Sequence, residues 1–131
     1  MTVFLDTSAV LAVVDADDKF HARGRQRWAH LLDEGATVLT SNYVLLESIA
    51  LLQRRLGIEA VSVFLQEIQP TLEIVWIDRE LHSGAAATLI AANRRQLSLV
   101  DLTSFAIMHQ RGIDAVFTFD EHFAEQGFTV V

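Results

Sequence analysis

Four carboxylates stand at positions where a purely structural role leaves most of their chemistry unexplained. Asp6 ends the apolar run Val3-Phe4-Leu5, and Asp120 ends a second run, Val116-Phe117-Thr118-Phe119. Glu47 lies inside a helical stretch whose residues three and four positions away are Tyr43, Val44, Ala50 and Leu51. None of these can pair with its charge, so the carboxylate is costly unless something beyond the helix satisfies it. Asp101 follows Ser98-Leu99-Val100. Each acid also has an ordinary explanation. Asp6 could be a helix cap and Glu47 a rim residue facing water. Ser98 with Asp101, and Thr118 with Glu121, have the spacing of a capping box.

The repetition gives the four acids their meaning. Two apolar strands end in aspartate, and if the strands are parallel both acids reach one edge of the sheet, where open α/β sheets place their ligands. Converging carboxylates repel, so they need raised pKa values or a bound cation. Oxygen donors without thiols favour a hard divalent ion such as Mg²⁺ or Mn²⁺. Such an ion can lower the pKa of water and neutralise charge developing on a phosphate.

The elements that must position these acids follow from pattern. Val3 to Leu5 reads as a strand buried on both faces, followed by a short apolar helix over 7–14 and an acidic loop over 15–18. An amphipathic helix is expected over 20–32, ended by Gly35, then a β-branched strand over 37–40. Ser41 or Asn42 can cap a helix running to about Leu56, stopped by Gly57. A further helix over 58–68 ends at Pro70, the only proline. A strand over 72–77, a helix from Arg79 to about Arg95 capped by Asp78, a helix from Ser98 to Gly112, and strands over 114–119 and 128–131 complete the chain. Strands alternating with helices imply right-handed crossovers. The expected fold is therefore a three-layer α/β/α sandwich with a mostly parallel sheet of about five strands, in one domain spanning 1–131.

Composition narrows the setting. A chain of 131 residues suits one domain with a real core, and 51% apolar residues argue against disorder. The absence of cysteine excludes a disulfide scaffold and suits a reducing cytoplasm. No apolar run approaches a bilayer span, and the strand that starts within the first residues leaves no room for a signal peptide. The net charge of −7 weighs against nucleic acid. Nine of the ten basic residues are nonetheless arginines, including Arg23, Arg25 and Arg27 at alternate positions. Arginine suits bidentate phosphate binding, although solvated helix faces are the plainer explanation of any single pair.

Phe4-Leu5-Asp6-Thr7-Ser8, Glu47, Ser98-Leu99-Val100-Asp101 and Phe117-Thr118-Phe119-Asp120-Glu121-His122-Phe123, in this order, resemble the PIN-domain family of metal-dependent ribonucleases, particularly its VapC-type toxins. The resemblance implies Asp6 and Asp101 as principal ligands of Mg²⁺ or Mn²⁺, with Glu47 and Asp120 completing the site. Thr7 and Thr118 would support it by hydrogen bonding, and Ser104, one turn after Asp101, would face the same cleft. It further implies RNA as substrate, cleavage by activated water leaving 5′-phosphate and 3′-hydroxyl ends, a homodimer, and a small antitoxin. The antitoxin is expected on an apolar groove built from Trp28, Leu31, Leu32 and the Leu45 to Leu52 face, unless those residues are core. Phe119 departs from the small polar residue common at that position. The chemistry requires no histidine, and His21, His30, His82, His109 and His122 are read as surface or packing residues.

Other readings fit less well. A receiver domain needs a late lysine, but the sole lysine is Lys19; a haloacid-dehalogenase-type phosphatase needs an aspartate at position 8, which is serine. Asp6-Thr7-Ser8-Ala9 lacks the glycines of a dinucleotide-binding turn. A housekeeping RNA-processing nuclease of the same chemistry, or a related module with a silent site, remain as alternatives.

Overall fold

A computed structural model describes residues Met1–Val131. Its centre is β1 (Thr2–Leu5). Alternation along a strand sends successive side chains to opposite faces: Val3 and Leu5 enter one apolar cluster and Phe4 the other. Both clusters are buried, so β1 has no face in water, as its unbroken apolar sequence implies.

The remaining strands are β2 (Thr37–Ser41), β3 (Glu73–Val75), β4 (Ala115–Phe117) and β5 (Thr129–Val130). The sheet runs in the order β3-β2-β1-β4-β5 with every pairing parallel. Strand order therefore reverses at β1, and the crevice at the carboxyl ends of β1 and β4 is the place where such sheets bind ligands. Leu5 pairs with Phe117, and the Asp6 N–H donates to the Phe117 carbonyl at 3.1 Å. That register brings Asp6 level with Thr118.

One layer is formed by α1 (Thr7–Val14), α2 (His21–Asp33) and α4 (Ile58–Val63), whose Leu11, Leu31 and Val61 share a cluster with Val3 and Leu5. The opposite layer is formed by α5 (Arg79–Ala92), α6 (Leu99–Arg111) and α7 (His122–Glu125), with Ala85, Met108 and Phe123 packed on Phe4. The helix α3 (Asn42–Leu56) serves both, giving Leu45 and Leu52 to the first cluster and Val44 to the second. Gly24 lets α2 approach α1 closely, since a Cβ there would lie 2.9 Å from the Ala12 Cβ.

The expected three-layer architecture is thus present, and its sheet is wholly parallel. The helix expected over 58–68 is shorter than its pattern implied. Beyond Val63 it widens to a π-helical turn, Phe64–Ile68, then tightens to a 3₁₀ turn, Gln69–Thr71, around Pro70, which has no N–H to continue the ladder. The strand expected over 72–77 covers only Glu73–Val75, because the Ile77 N–H leaves the ladder for the Asn42 side chain at 2.7 Å. The strand expected over 114–119 stops at Phe117, because Phe119 gives its N–H to Ser8 Oγ at 2.9 Å. No helix is long and apolar enough to cross a membrane.

Candidate metal centre

Asp6 is 4% exposed. It occupies the cap position of α1 with extended backbone, but its side chain makes no capping bond. Its Oδ2 instead accepts from Ser8 Oγ and Thr118 Oγ1, each at 2.8 Å. Each hydroxyl has one proton, so with both protons on Asp6, the 3.1 Å approach between Ser8 Oγ and Thr118 Oγ1 is a contact between acceptors. Their lone pairs receive the Phe119 and Asp120 N–H groups at 2.9 Å. One polar chain thus ties the end of β1 to the segment leaving β4.

Burial pushes the Asp6 carboxyl up to about 6, against the lowering effect of the Ser8 and Thr118 hydrogen bonds; the charge of Asp101 adds to the rise. Asp101 is also held above its ordinary value, chiefly by burial and further by Asp120, while the Ser98 backbone bond and His122 pull it down. Two neighbouring acids resisting ionisation mark a place that favours a cation.

Asp101 stands in the first turn of α6, within a complete capping box. The Ser98 N–H donates to Asp101 Oδ2 at 2.9 Å, and the Asp101 N–H donates to Ser98 Oγ at 3.1 Å. The cap fixes the carboxylate and leaves Oδ1 free. The second expected box, Thr118 with Glu121, does not form: Thr118 faces Asp6, and α7 starts with no side-chain cap.

Asp101, Asp120 and His122 each offer a ligand atom within 4.8 Å of the other two. Asp120 Oδ1 accepts the His122 N–H at 2.9 Å, which folds the imidazole back so that Nδ1 lies 2.7 Å from the same oxygen. Nδ1 is buried and lacks an aligned hydrogen-bond partner. His122 was expected to be a surface or packing residue, and the structure instead puts it in the carboxylate cluster. Its spacing of two from Asp120 was the available signal, but only the tight turn after β4 turns that spacing into proximity.

The other expected site residues divide. Thr7 is buried beside Asp6 with its Oγ1 unpartnered, which suits a polar ligand. Thr118 holds Asp6 directly. Glu47 is half-buried on α3, forms no ion pair, and lies outside the three-residue cluster. Its helix begins where β2, the neighbour of β1, ends. Ser104 is fully buried and spends its proton on the Val100 carbonyl at 2.8 Å, one turn back, so its hydroxyl is committed within α6. Of the groove residues, Leu31, Leu45 and Leu52 are core, because the stripe that contains them faces the sheet. Trp28 and Leu32 do line a surface groove, of about 420 Å³, with Val13, Val14, Val63 and Ile68.

Donor chemistry fits a divalent cation: two carboxylates and an imidazole converge, a third carboxylate, Asp6, lies close enough for the charge of Asp101 to raise it, and no cysteine is present.

Known proteins share the sequence pattern and the fold of this chain. The PIN domain family matches residues 3–128. The 23S rRNA-specific endonuclease VapC20 of Mycobacterium tuberculosis is 34% identical over 130 residues, covering 98% of this chain and 97% of that protein. The crystal structure of VapC20, described as a Sarcin-Ricin loop cleaving toxin, superposes with a TM-score of 0.86 at 32% identity, covering 97% of this chain and 96% of the other. FitAcB from Neisseria gonorrhoeae, at TM-score 0.69, covers 99% of this chain and 96% of its own; VapBC2 from Rickettsia felis, at 0.65, covers 100% and 98%. Both are 17% identical and share the fold. This chain belongs to the PIN domain family.

Proposed function

We propose that this chain is a divalent-metal-dependent endoribonuclease and the toxin of a toxin–antitoxin pair. The observation that carries the reading is the convergence of Asp6, Asp101 and Asp120 at the strand-order reversal, in a chain 34% identical to a 23S rRNA-specific endonuclease along almost its full length. Asp101, Asp120 and His122 would hold the cation with Asp6, and Glu47 would complete the acidic set from α3. A bound Mg²⁺ or Mn²⁺ supplies Lewis acidity toward the scissile phosphate and lowers the pKa of water.

The protein's own contribution is positioning. Ser8 and Thr118 orient Asp6, Ser98 orients Asp101, and the His122 amide orients Asp120. Each carboxylate is therefore fixed before substrate arrives, which avoids reorganisation during the reaction. Water adds to phosphorus, the P–O3′ bond breaks, and the products carry 5′-phosphate and 3′-hydroxyl ends.

The relatives suggest 23S rRNA, and its sarcin–ricin loop, as the substrate class. The groove around Trp28 and Leu32 suits an apolar segment of a small antitoxin. A homodimer and a cytoplasmic location belong to the same reading, and Trp76 and Ile90, 71% and 79% exposed, supply apolar surface for self-association. Incubation with intact ribosomes tests the substrate. One cut in the sarcin–ricin loop, absent with Asp101→Asn, is expected; intact 23S rRNA beside cleavage of other RNAs would move the substrate elsewhere.

A further inference from the structure

We propose that Arg23 and Arg27 form a phosphate-binding subsite that holds the RNA strand beside the acidic centre, with Phe20 and Phe119 fixing Arg23 in place. The proposal rests on the nuclease reading and names how its substrate is held.

An acidic protein with a centre of three carboxylates needs a compensating cationic surface to approach a polyanion. A cleft of about 450 Å³ supplies one, with Arg23, Gln26, Arg27 and His30 on one wall and Thr118 and Phe119 on another. Val130 and Val131 complete its lining, and no acidic side chain is among the lining residues, although the chain carries a net charge of −7. Arg23, Arg27 and His30 recur at helical spacing along one side of α2. His30 is engaged by Glu34 at 2.6 Å, whereas neither arginine pairs with a carboxylate.

The cleft is physically joined to the centre. Thr118, at its wall, donates to Asp6, and Phe119 stands between Thr118 and Asp120 in the chain. Phe119 stacks on Phe20 with ring centres 4.7 Å apart and planes 8° from parallel. The Arg23 guanidinium lies 6.0 Å from the Phe20 ring centre and 5.9 Å from that of Phe119. Two rings hold a cation weakly but restrict its movement, leaving its fork of donors for phosphate oxygens. The aromatic residue that departs from the small polar residue common in the family thus has a role: it braces an arginine against the segment that carries Asp120.

The test uses full-length Asp101→Asn protein and a short fluorescein-labelled single-stranded RNA, with binding followed by anisotropy over a NaCl series. Each lost phosphate contact on a single strand lowers the salt slope by about 0.7. Arg23→Ala with Arg27→Ala should lower it by about 1.4 and weaken binding at low salt by roughly ten-fold or more. Arg23→Lys should fall between, since it keeps the charge and loses the fork. Arg111→Ala, at the opposite end of α6 from Asp101, should leave the slope unchanged. Phe119→Leu should weaken binding while retaining most of the slope.

Unchanged slope and affinity in the double arginine variant would overturn the subsite. Parent protein that still cleaves RNA metal-dependently would then keep the nuclease reading intact. If the same substitutions spare RNA binding but release a co-expressed partner protein, the cleft is a protein interface and the proposal fails. If the parent neither binds nor cuts RNA, both readings fall together.

Discussion

Thr118 Oγ1 donates to Asp6 Oδ2 at 2.8 Å and accepts the Asp120 N–H at 2.9 Å, so one hydroxyl joins two carboxylates that are 114 positions apart in the chain. Both ends of that link are buried or half-buried. Thr118→Val keeps the shape and removes the hydroxyl. It leaves the Asp120 N–H without its partner, at a cost of about 1–3 kcal/mol in stability. It should also raise the Asp6 pKa further, so activity lost near neutral pH should return in part at higher pH. A pH–rate profile that merely scales down would show that Thr118 does not act through Asp6.

Asp6 predicts a stability that depends on pH with an unusual sign. Its pKa is 3.8 when unperturbed and about 6 when folded, so between these values the folded state binds more protons. Stability of the metal-free protein should fall as pH rises through that window and level off above it. The contribution is about 3 kcal/mol at most, from about 1.4 kcal/mol per pKa unit. Asp6→Asn should therefore melt higher than the parent in chelator at pH 7.5 while losing activity. Urea unfolding across pH measures both, and a variant that is less stable than the parent at neutral pH would contradict the cost assigned to Asp6.

His122 adds a nitrogen donor to an oxygen-rich set, and imidazole favours later transition ions over Mg²⁺. His122→Ala should weaken Mn²⁺ binding more than Mg²⁺ binding in calorimetric titrations. Equal losses for both ions would assign His122 to packing beneath Asp120.

Ser98→Ala removes the hydroxyl that accepts the Asp101 N–H and caps α6, while the Ser98 N–H that holds the Asp101 carboxylate remains. Thermal unfolding should show a loss of about 1 kcal/mol, with metal affinity largely retained. A large fall in metal affinity would show that the hydroxyl, and not only the backbone amide, positions the carboxylate.

The sequence makes some of these relationships readable and leaves others hidden for physical reasons. An apolar run ending in Asp6 defines both a doubly buried strand and a carboxylate at its end, because burial and strand termination are local. Ser98 and Asp101 likewise declare their cap by spacing alone. Leu31 and Leu32 cannot be separated this way: adjacent residues on one helix become core and groove only when α2 settles against the sheet. The widening at Phe64–Ile68 and the early end of β3 depend on partners distant in sequence, Asn42 in the second case. The role of His122 depends on a turn whose hydrogen bonds are made by Asp120 itself. Ser104 has the correct spacing from Asp101, but its hydroxyl finds a closer acceptor within its own helix.

In the proposed reaction, Asp6 and Asp120 at the ends of β1 and β4, with Asp101 at the start of α6, cut RNA by holding a divalent ion. Digestion of RNA by the purified protein with Mn²⁺, with Mg²⁺ and with chelator, beside Asp101→Asn, tests it most directly when the new ends are mapped. Cuts that require the ion, carry 5′-phosphates and vanish in the variant are the predicted result. Cuts that persist in chelator and leave cyclic phosphates would contradict it.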